Sequence, residues 1–494
     1  MNPALELKNI RGKESKYWSE QQRLRNLEIF QSAAQRVPAY KMFLKKNGVN
    51  PKSITTQADF SKLPIVDKNN YLRKYELADL CWDGNIDKSY VFAATSGSTG
   101  KPFYFPHGRE LADEYSILAE LFLGNGNKNA STLVIICFGM GVWIGGVLTL
   151  QAFESAGYRR GNTSIITPGL NKGEIYHALS DLAPNFGQTI LGGYPPFVKD
   201  IIDGCQENQI DLKKLKIRLL FAAETFTEDF RDHVAELAGI SDVHRDTLNI
   251  YGTADIGAMA YETPTSILVR RTATKSPSIF NKIFGALERT PTLAQYNPRF
   301  TSFENSDGNI LLTGNNSIPL IRYSIGDTGG VRTFDDVDRS LSDEGVQLQS
   351  DAKRNAIPLY RLPFVYVYER ADFSVKLYGA IIYAEHVRGA LQQREDRKNI
   401  TGRFTMQTST DEKQDQYLEV NIELARGVKK SAVLSQHLTE IITRELIKKN
   451  SEYHNNYLSM HERVVPRVSL WTYEDPKYFK SGVKQRWVIK QKNS

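Results

Sequence analysis

VFAATSGSTGKPFYFPH, residues 91–107, is the stretch from which the fold can be read outward. A strand-like run, Val91–Ala94, leads into Thr95, Ser96, Gly97, Ser98, Thr99, Gly100 and Lys101. Small hydroxylated residues alternating with glycine let backbone N–H groups converge on an anion, and the hydroxyls and Lys101 add further donors. A phosphate is the natural guest. The loop is not of the Gly-x4-Gly-Lys-Ser/Thr kind, because Thr95 and Pro102 stand where that pattern needs a glycine and a hydroxyl. Ser98 to Lys101 also fits the Ser-x-x-Lys of penicillin-binding enzymes, but no Ser-Asp-Asn or Lys-Thr-Gly partner follows. The plain alternative is a solvent-exposed turn.

Around this loop, from about Val91 to Arg332, short β-rich runs alternate with helical patterns. TLVIICF, SIITP, IRLLFAA and LNIYG are the strand candidates, with EIYHALSDLA, PFVKDIIDGCQ and EDFRDHVAEL as helices. That alternation predicts α/β layers with several parallel strands, whose carboxyl ends are where ligands collect. Upstream, QQRLRNLEIFQSAAQRV spaces its apolar residues by three and four and predicts a packed helix ending near Pro38. The uncharged Leu133–Leu150 has the length of a membrane span, but it holds four glycines behind a β-branched start. A buried strand, a glycine loop and a helix start account for it better. Phe334–Asn355 is polar and reads as a surface excursion.

After Arg370 the texture changes. SVKLYGAIIY reads as paired strands, DQYLEVNIELA alternates with period two, and SAVLSQHLTEIITRELIKK sets Leu434, Leu438, Ile441 and Ile442 on one helical face. RVSLWTY adds a strand. The expected architecture is a large α/β domain of layered sheets and helices, residues 1–369, followed by a small mobile α+β lid, residues 370–494.

Bulk composition restricts the function. At 494 residues the chain is too long for one compact core. Hydrophobic and charged contents of 41% and 24% are those of an ordinary soluble protein. The net charge of +7 comes without a dense Lys/Arg block, so no nucleic-acid partner is expected, while polyanionic small ligands are compatible with it. Cys81, Cys137 and Cys205 form no C-x-x-C spacing, which argues against a zinc site and a disulfide scaffold. A reducing compartment fits. MNPALELKNIRGKESKYW has no signal-peptide core, so a cytoplasmic protein with no membrane partner is expected.

TSGSTGKP resembles the phosphate loop of the adenylate-forming (ANL) superfamily of acyl-CoA synthetases, peptide-synthetase adenylation domains and luciferases. Val37-Pro38-Ala39-Tyr40 and Leu63-Pro64 with Lys68 resemble the phenylacetate-CoA ligase-like (CapK-like) branch, as does FGMGVWIGGVLTLQAFESAGY. Phe221-Ala222-Ala223-Glu224 stands where that branch has a G-[AG]-E turn, and Tyr251-Gly252-Thr253-Ala254-Asp255 resembles its Y-G-x-[ST]-E. Pro319–Asp327 is similar to P-L-I-R-Y-x-x-G-D almost residue for residue. Arg370-Ala371-Asp372 with Gly379 fits the hinge, and FKSGVKQRWVI fits the basic tail. The pieces occur in the right order along nearly the whole chain.

The resemblance implies an ATP-dependent ligase that joins an organic acid to AMP and then passes the acyl group to a second nucleophile. Ser96, Gly97, Ser98, Thr99, Gly100 and Lys101 would hold the β- and γ-phosphates. Asp327 would grip the ribose, with Arg370 facing ribose or phosphate. Tyr251, with Gly252 and Thr253, would lie beside the adenine, as would Ala223 and Glu224. Asp255 would approach Mg²⁺, where the family usually has Glu. Phe138, Trp143, Gly193 and Tyr194 would line the acid pocket, Trp143 hinting at an aromatic or apolar acyl group. Lys484 would bridge carboxylate and α-phosphate, with Lys480 as runner-up. The lid would rotate at Asp372, presenting either the tail lysine or the Gly379 region. Such chemistry wants donors and cations, because negative charge must be tolerated on every reacting group. Coenzyme A is the default acceptor, with a carrier-protein thiol or an amine as alternatives and a homodimer left open. Phe373, Glu369 and Ala384 depart from the family pattern, and a nucleotide-binding relative without catalysis is a rival reading.

Overall fold

The structure, a computed structural model, describes residues 2–94, 103–140, 144–223, 225–285, 290–368, 374–377, 380–392, 398–410, 416–480 and 487–488. Among the described residues, eleven strands form one mixed sheet. Thr163–Ile166, Thr132–Cys137, Gln188–Gly193, Ile217–Ala222 and Thr247–Thr253 lie side by side and parallel. The sheet continues antiparallel through Gly257–Tyr261, Thr292–Gln295, Phe364–Tyr368, Leu320–Arg332, Asn309–Gly314 and Thr301–Ser306.

The apolar run Leu133–Phe138 shows why the parallel half forms. Successive side chains of a strand point to opposite faces, and a strand covered on both faces can be apolar throughout. Leu133, Ile135 and Cys137 join one core with Val198, Ile201 and Val234. Val134, Ile136 and Phe138 join another with Leu118, Phe122 and Phe153. The membrane-length stretch is therefore split between strand Thr132–Cys137 and helix Ile144–Arg160. No helix among the described residues is long and apolar enough to cross a membrane.

Helices Ser15–Arg36 and Pro38–Lys46 cover the antiparallel half, where Phe30, Tyr40 and Phe60 meet Phe303, Leu312 and Tyr323. The break before Pro38 falls where the sequence places it. The polar stretch 334–355, expected as a surface excursion, is largely helical. It forms helices Phe334–Ser342 and Leu348–Arg354, which bury Phe334, Val337, Leu341 and Leu348 against Phe364 and Tyr366. One apolar residue per turn is enough to anchor such helices.

The stretch after Arg270, which matches no recognised motif, includes helix Pro277–Phe284 and strand Thr292–Gln295. Arg270 itself is buried and donates to the carbonyls of Phe226 and Pro291 and to Glu228. Burial pushes the Glu228 carboxyl up, but Arg231, Arg270 and Arg271 outweigh it and hold it at about 2.

From Ser374 onward a separate core forms. The hairpin Ser374–Leu377/Ala380–Tyr383 and the sheet of Ile400–Thr410, Gln416–Leu424 and Arg467–Trp471 pack on helix Ala432–Lys449. Leu438, Ile441 and Ile442 are buried as their spacing predicts, and Leu434 packs at the margin.

Candidate active site

The carboxyl ends of the parallel strands bring several predicted residues together. Phe138 follows strand Thr132–Cys137 and meets Tyr194 edge-on, ring centroids 5.2 Å apart. Gly193 lies beneath them, where a Cβ would stand 2.8 Å from Val198 and 3.2 Å from the Cys137 carbonyl, so no side chain fits. Ala223, at the end of strand Ile217–Ala222, holds φ at +72°, a conformation that costs a residue with a Cβ about 1 kcal/mol.

Tyr251 and Asp327 meet although 76 residues separate them, the Tyr251 hydroxyl donating to Asp327 Oδ2 at 2.6 Å. Asp327 is buried, and the Tyr251 ring lies against Phe303 with centroids 6.2 Å apart. Gly252 cannot carry a Cβ, which would stand 2.7 Å from the Gly257 carbonyl. Next along the strand, the Thr253 hydroxyl points to the Met259 sulfur at 4.0 Å.

Asp255 is buried and doubly held. Tyr323 donates its hydroxyl to Oδ2 at 2.6 Å, and the Lys68 ammonium sits 3.0 Å from the same oxygen. Lys68 arrives by a specific route. Arg322 has φ of +48° in a bulged register beside Leu312–Gly314, and its guanidinium donates to the Leu63 carbonyl. Val66 then pairs with both neighbours of Tyr323, its N–H to the Arg322 carbonyl at 3.2 Å and its carbonyl from the Ser324 N–H at 2.8 Å. Leu63-Pro64-x-x-x-Lys68 is thereby clamped to Pro319–Asp327, and its lysine falls on Asp255. Lys68 was not among the predicted site residues; the only sequence signal was its place in that short pattern.

His107 ties the same corner to the hairpin that flanks the expected phosphate loop. Strands Val91–Ala94 and Tyr104–His107 pair antiparallel on either side of the loop, whose residues 95–102 lie outside the described residues. His107 Nε2 lies 3.1 Å from the Ala254 carbonyl and Nδ1 lies 2.5 Å from the Asn316 amide nitrogen. That pairing calls for the neutral tautomer with its proton on Nε2. Burial lowers its pKa to about 4, against the pull of its hydrogen bonds and of Asp255.

A depressed histidine pKa means the unfolded chain takes up the proton first. Its stabilisation is complete above about pH 6.5 and is lost as pH falls through about 4. The shift corresponds to about 3 kcal/mol. Urea denaturation between pH 7 and 4 should therefore show a steeper stability loss in the wild type than in His107→Gln. Parallel pH profiles would mean that His107 is not the group responsible.

Ser96, Gly97, Ser98, Thr99, Gly100, Lys101, Trp143, Glu224, Arg370, Gly379 and Lys484 lie outside the described residues. For a divalent cation, no group of three or more His, Cys, Asp or Glu able to hold one occurs among the described residues. Mg²⁺ that travels with a nucleotide needs only one or two protein carboxylates. Asp255 fits that limited demand, with Lys68 beside it as a competing cation.

No family model matches the chain. In sequence it is similar to the phenylacetate-coenzyme A ligase of Aromatoleum evansii, 23% identical over 225 residues, which is 45% of this chain and 48% of that protein. The phenylacetate-coenzyme A ligase of Thermus thermophilus is 21% identical over 238 residues, 48% of this chain and 50% of that protein. The matched stretch thus spans about half the length of these curated relatives. Among solved structures, 2-hydroxyisobutyryl-CoA ligase in the postadenylation state with 2-HIB-AMP superposes with a TM-score of 0.69 at 15% identity, covering 98% of this chain and 92% of that one. The same ligase with 2-HIB-AMP and CoA in the thioesterification state gives 0.55, covering 98% and 91%. In fold, the chain is similar to these acyl-CoA ligase structures. In sequence, it resembles phenylacetate-coenzyme A ligases over about half of its length.

Proposed function

We propose that this chain activates a carboxylic acid with ATP through an acyl-adenylate and transfers the acyl group to a thiol, coenzyme A first among the candidates. The observation that carries this reading is the convergence at the strand ends. The phosphate-loop hairpin, through His107, meets the Ala254–Asp255 corner, and Asp327 meets Tyr251 on strand Thr247–Thr253, which leads into that corner. Nucleotide activation needs such a set: donors for phosphate, an acceptor for ribose hydroxyls and an aromatic face for a base. In this reading residues 1–369 form the AMP-binding domain and 370–494 the lid. Asp327 grips the ribose, Tyr251 flanks the adenine, Ser96–Lys101 hold the phosphates and Lys484 neutralises charge between the reactants. Tyr194, partly exposed and backed edge-on by the buried Phe138, offers an aromatic face to the acid, which supports an aryl or otherwise apolar substrate. A carrier-protein thiol or an amine is the alternative acceptor.

The test is acid-dependent ATP–pyrophosphate exchange across a panel of carboxylic acids beginning with phenylacetate. Exchange with aryl or apolar acids is expected. ATP binding without exchange for any acid would make the chain a nucleotide-binding protein and end the ligase reading.

Mg²⁺, bound with the triphosphate, would offset phosphate charge, and Asp255 is the residue that would face it. Asp255→Asn should raise the Mg²⁺ concentration needed for half-maximal exchange, since a neutral amide is a poorer ligand for a hard cation. Asp255→Glu should preserve it. An unaltered Mg²⁺ dependence in both variants would reduce Asp255 to a structural partner of Lys68 and Tyr323.

A further inference from the structure

Strands Gln188–Gly193 and Ile217–Ala222 deliver Gly193 and Ala223 to the candidate active site with their carboxyl ends. At their amino ends Gln188, Ile217 and Arg218 line a second cleft, of about 460 Å³. Six residues of strand, at about 3.3 Å each, put it roughly 20 Å from the first.

The described lining of this cleft is short of negative charge. It carries Lys213, Lys216, Arg218 and Arg245 against Asp242 and Asp246. Both carboxylates are engaged, Asp246 by Arg218 Nε at 2.8 Å and Asp242 by Arg245 at 3.3 Å. The neighbouring Asp211 pairs with Lys214 at 3.4 Å. Lys213 and Lys216 are exposed and join no ion pair among the described residues. Two carboxylates against four cations leave a surplus of two positive charges.

Arg218 places one of those cations inside the protein. Its Nη2 donates to the carbonyls of Phe122 at 2.7 Å and Arg245 at 2.8 Å, and the guanidinium lies 4.2 Å over the Phe122 ring. Its Nη1 is buried with no hydrogen-bond partner among the described residues. Gly126 permits that close approach, since a Cβ there would stand 2.6 Å from Nη1. Burial holds the Arg218 guanidinium below its usual pKa, with Asp246 pulling the other way and Arg160 adding to the fall. A buried cation with an unmet donor is costly to keep, and an anion arriving beside it relieves that cost.

We propose that this cleft binds a sugar or polyol phosphate monoester, with Lys213 and Lys216 on the phosphate oxygens and Arg218 as the buried charge behind them. A phosphate monoester carries close to two negative charges at neutral pH, which matches the surplus. The volume is that of a small-molecule site. Among the described residues no aromatic ring lines the cleft, so a nucleobase would find no stacking face, whereas Asn127 and Ser241 offer polar groups to hydroxyls. The site is remote from the nucleotide residues and does not depend on the ligase reading.

Titration calorimetry of the full chain with glycerol 3-phosphate should show saturable binding, competed by inorganic phosphate and not by glycerol. Lys213→Glu with Lys216→Glu should weaken it by about ten- to a hundredfold, because reversing two charges removes attraction and adds repulsion. Both side chains are exposed, and the milder Lys213→Gln with Lys216→Gln, which should weaken binding less, serves if the reversed variant does not fold. Lys101→Ala, in the expected phosphate loop, should leave the affinity unchanged. Loss of binding in Lys101→Ala with wild-type affinity in the double variants would place the phosphate in that loop and overturn the proposal. So would competition by glycerol, or the absence of saturable binding below about 1 mM.

Discussion

In Lys484→Ala, acid-dependent ATP–pyrophosphate exchange should fall by about a hundred- to a thousandfold, the typical cost of losing one preorganised electrostatic donor. The ammonium is wanted only where a carboxylate meets the α-phosphate and like charges crowd together. Thioester formation from supplied acyl-adenylate has no such encounter and should proceed near the wild-type rate. Lys480→Ala is the control for tail charge. The structure strengthens that control, because Lys480 contributes its backbone carbonyl to Arg403, a contact that alanine keeps. A damaging Lys480→Ala with a harmless Lys484→Ala would shift the assignment within FKSGVKQR by four residues. If neither change matters, the tail is a solvated basic end and the proposed role of the lid loses its support.

Asp327→Ala should weaken ATP binding by about 2–4 kcal/mol, the scale for losing hydrogen bonds to a charged acceptor and stranding their partners. In Kd this is roughly thirty- to a thousandfold. Asp327 is buried and its Oδ2 is already oriented by Tyr251, so little ordering is left for the ligand to impose. Tyr251→Phe should therefore weaken ATP in the same sense but by only about 1 kcal/mol, the net worth of one hydrogen bond. Calorimetry on both variants decides the matter: ATP affinity unchanged in Asp327→Ala rules out the ribose assignment.

Much of this was legible in the order of residues. The run Leu133–Phe138 reads as a strand because strand geometry sends alternate side chains to two faces, and both faces here are apolar. The break before Pro38, the helix Ala432–Lys449 and the hairpin at 374–383 follow from equally local rules of backbone and periodicity. The candidate site residues could be named for a related reason: each stands in a short run whose order alone is distinctive. Composition reads Phe334–Asn355 as a polar surface excursion but does not show its two helices, because composition counts apolar residues, whereas packing depends on which side of a helix they share. Phe334, Val337 and Leu341 share one.

Only the tertiary structure decided which distant groups meet. His107 reaches Ala254 across 147 residues of chain, and Tyr251 reaches Asp327 across 76. Lys68 lands on Asp255 because Val66 pairs across the Arg322 bulge, and no feature of either motif announces that pairing. Hydrogen bonds and ion pairs act over about 3 Å. Local sequence fixes which element a residue occupies and which way it faces. The partner at 3 Å is set by how sheet order and bulges bring separate elements together, a property of the whole packed chain.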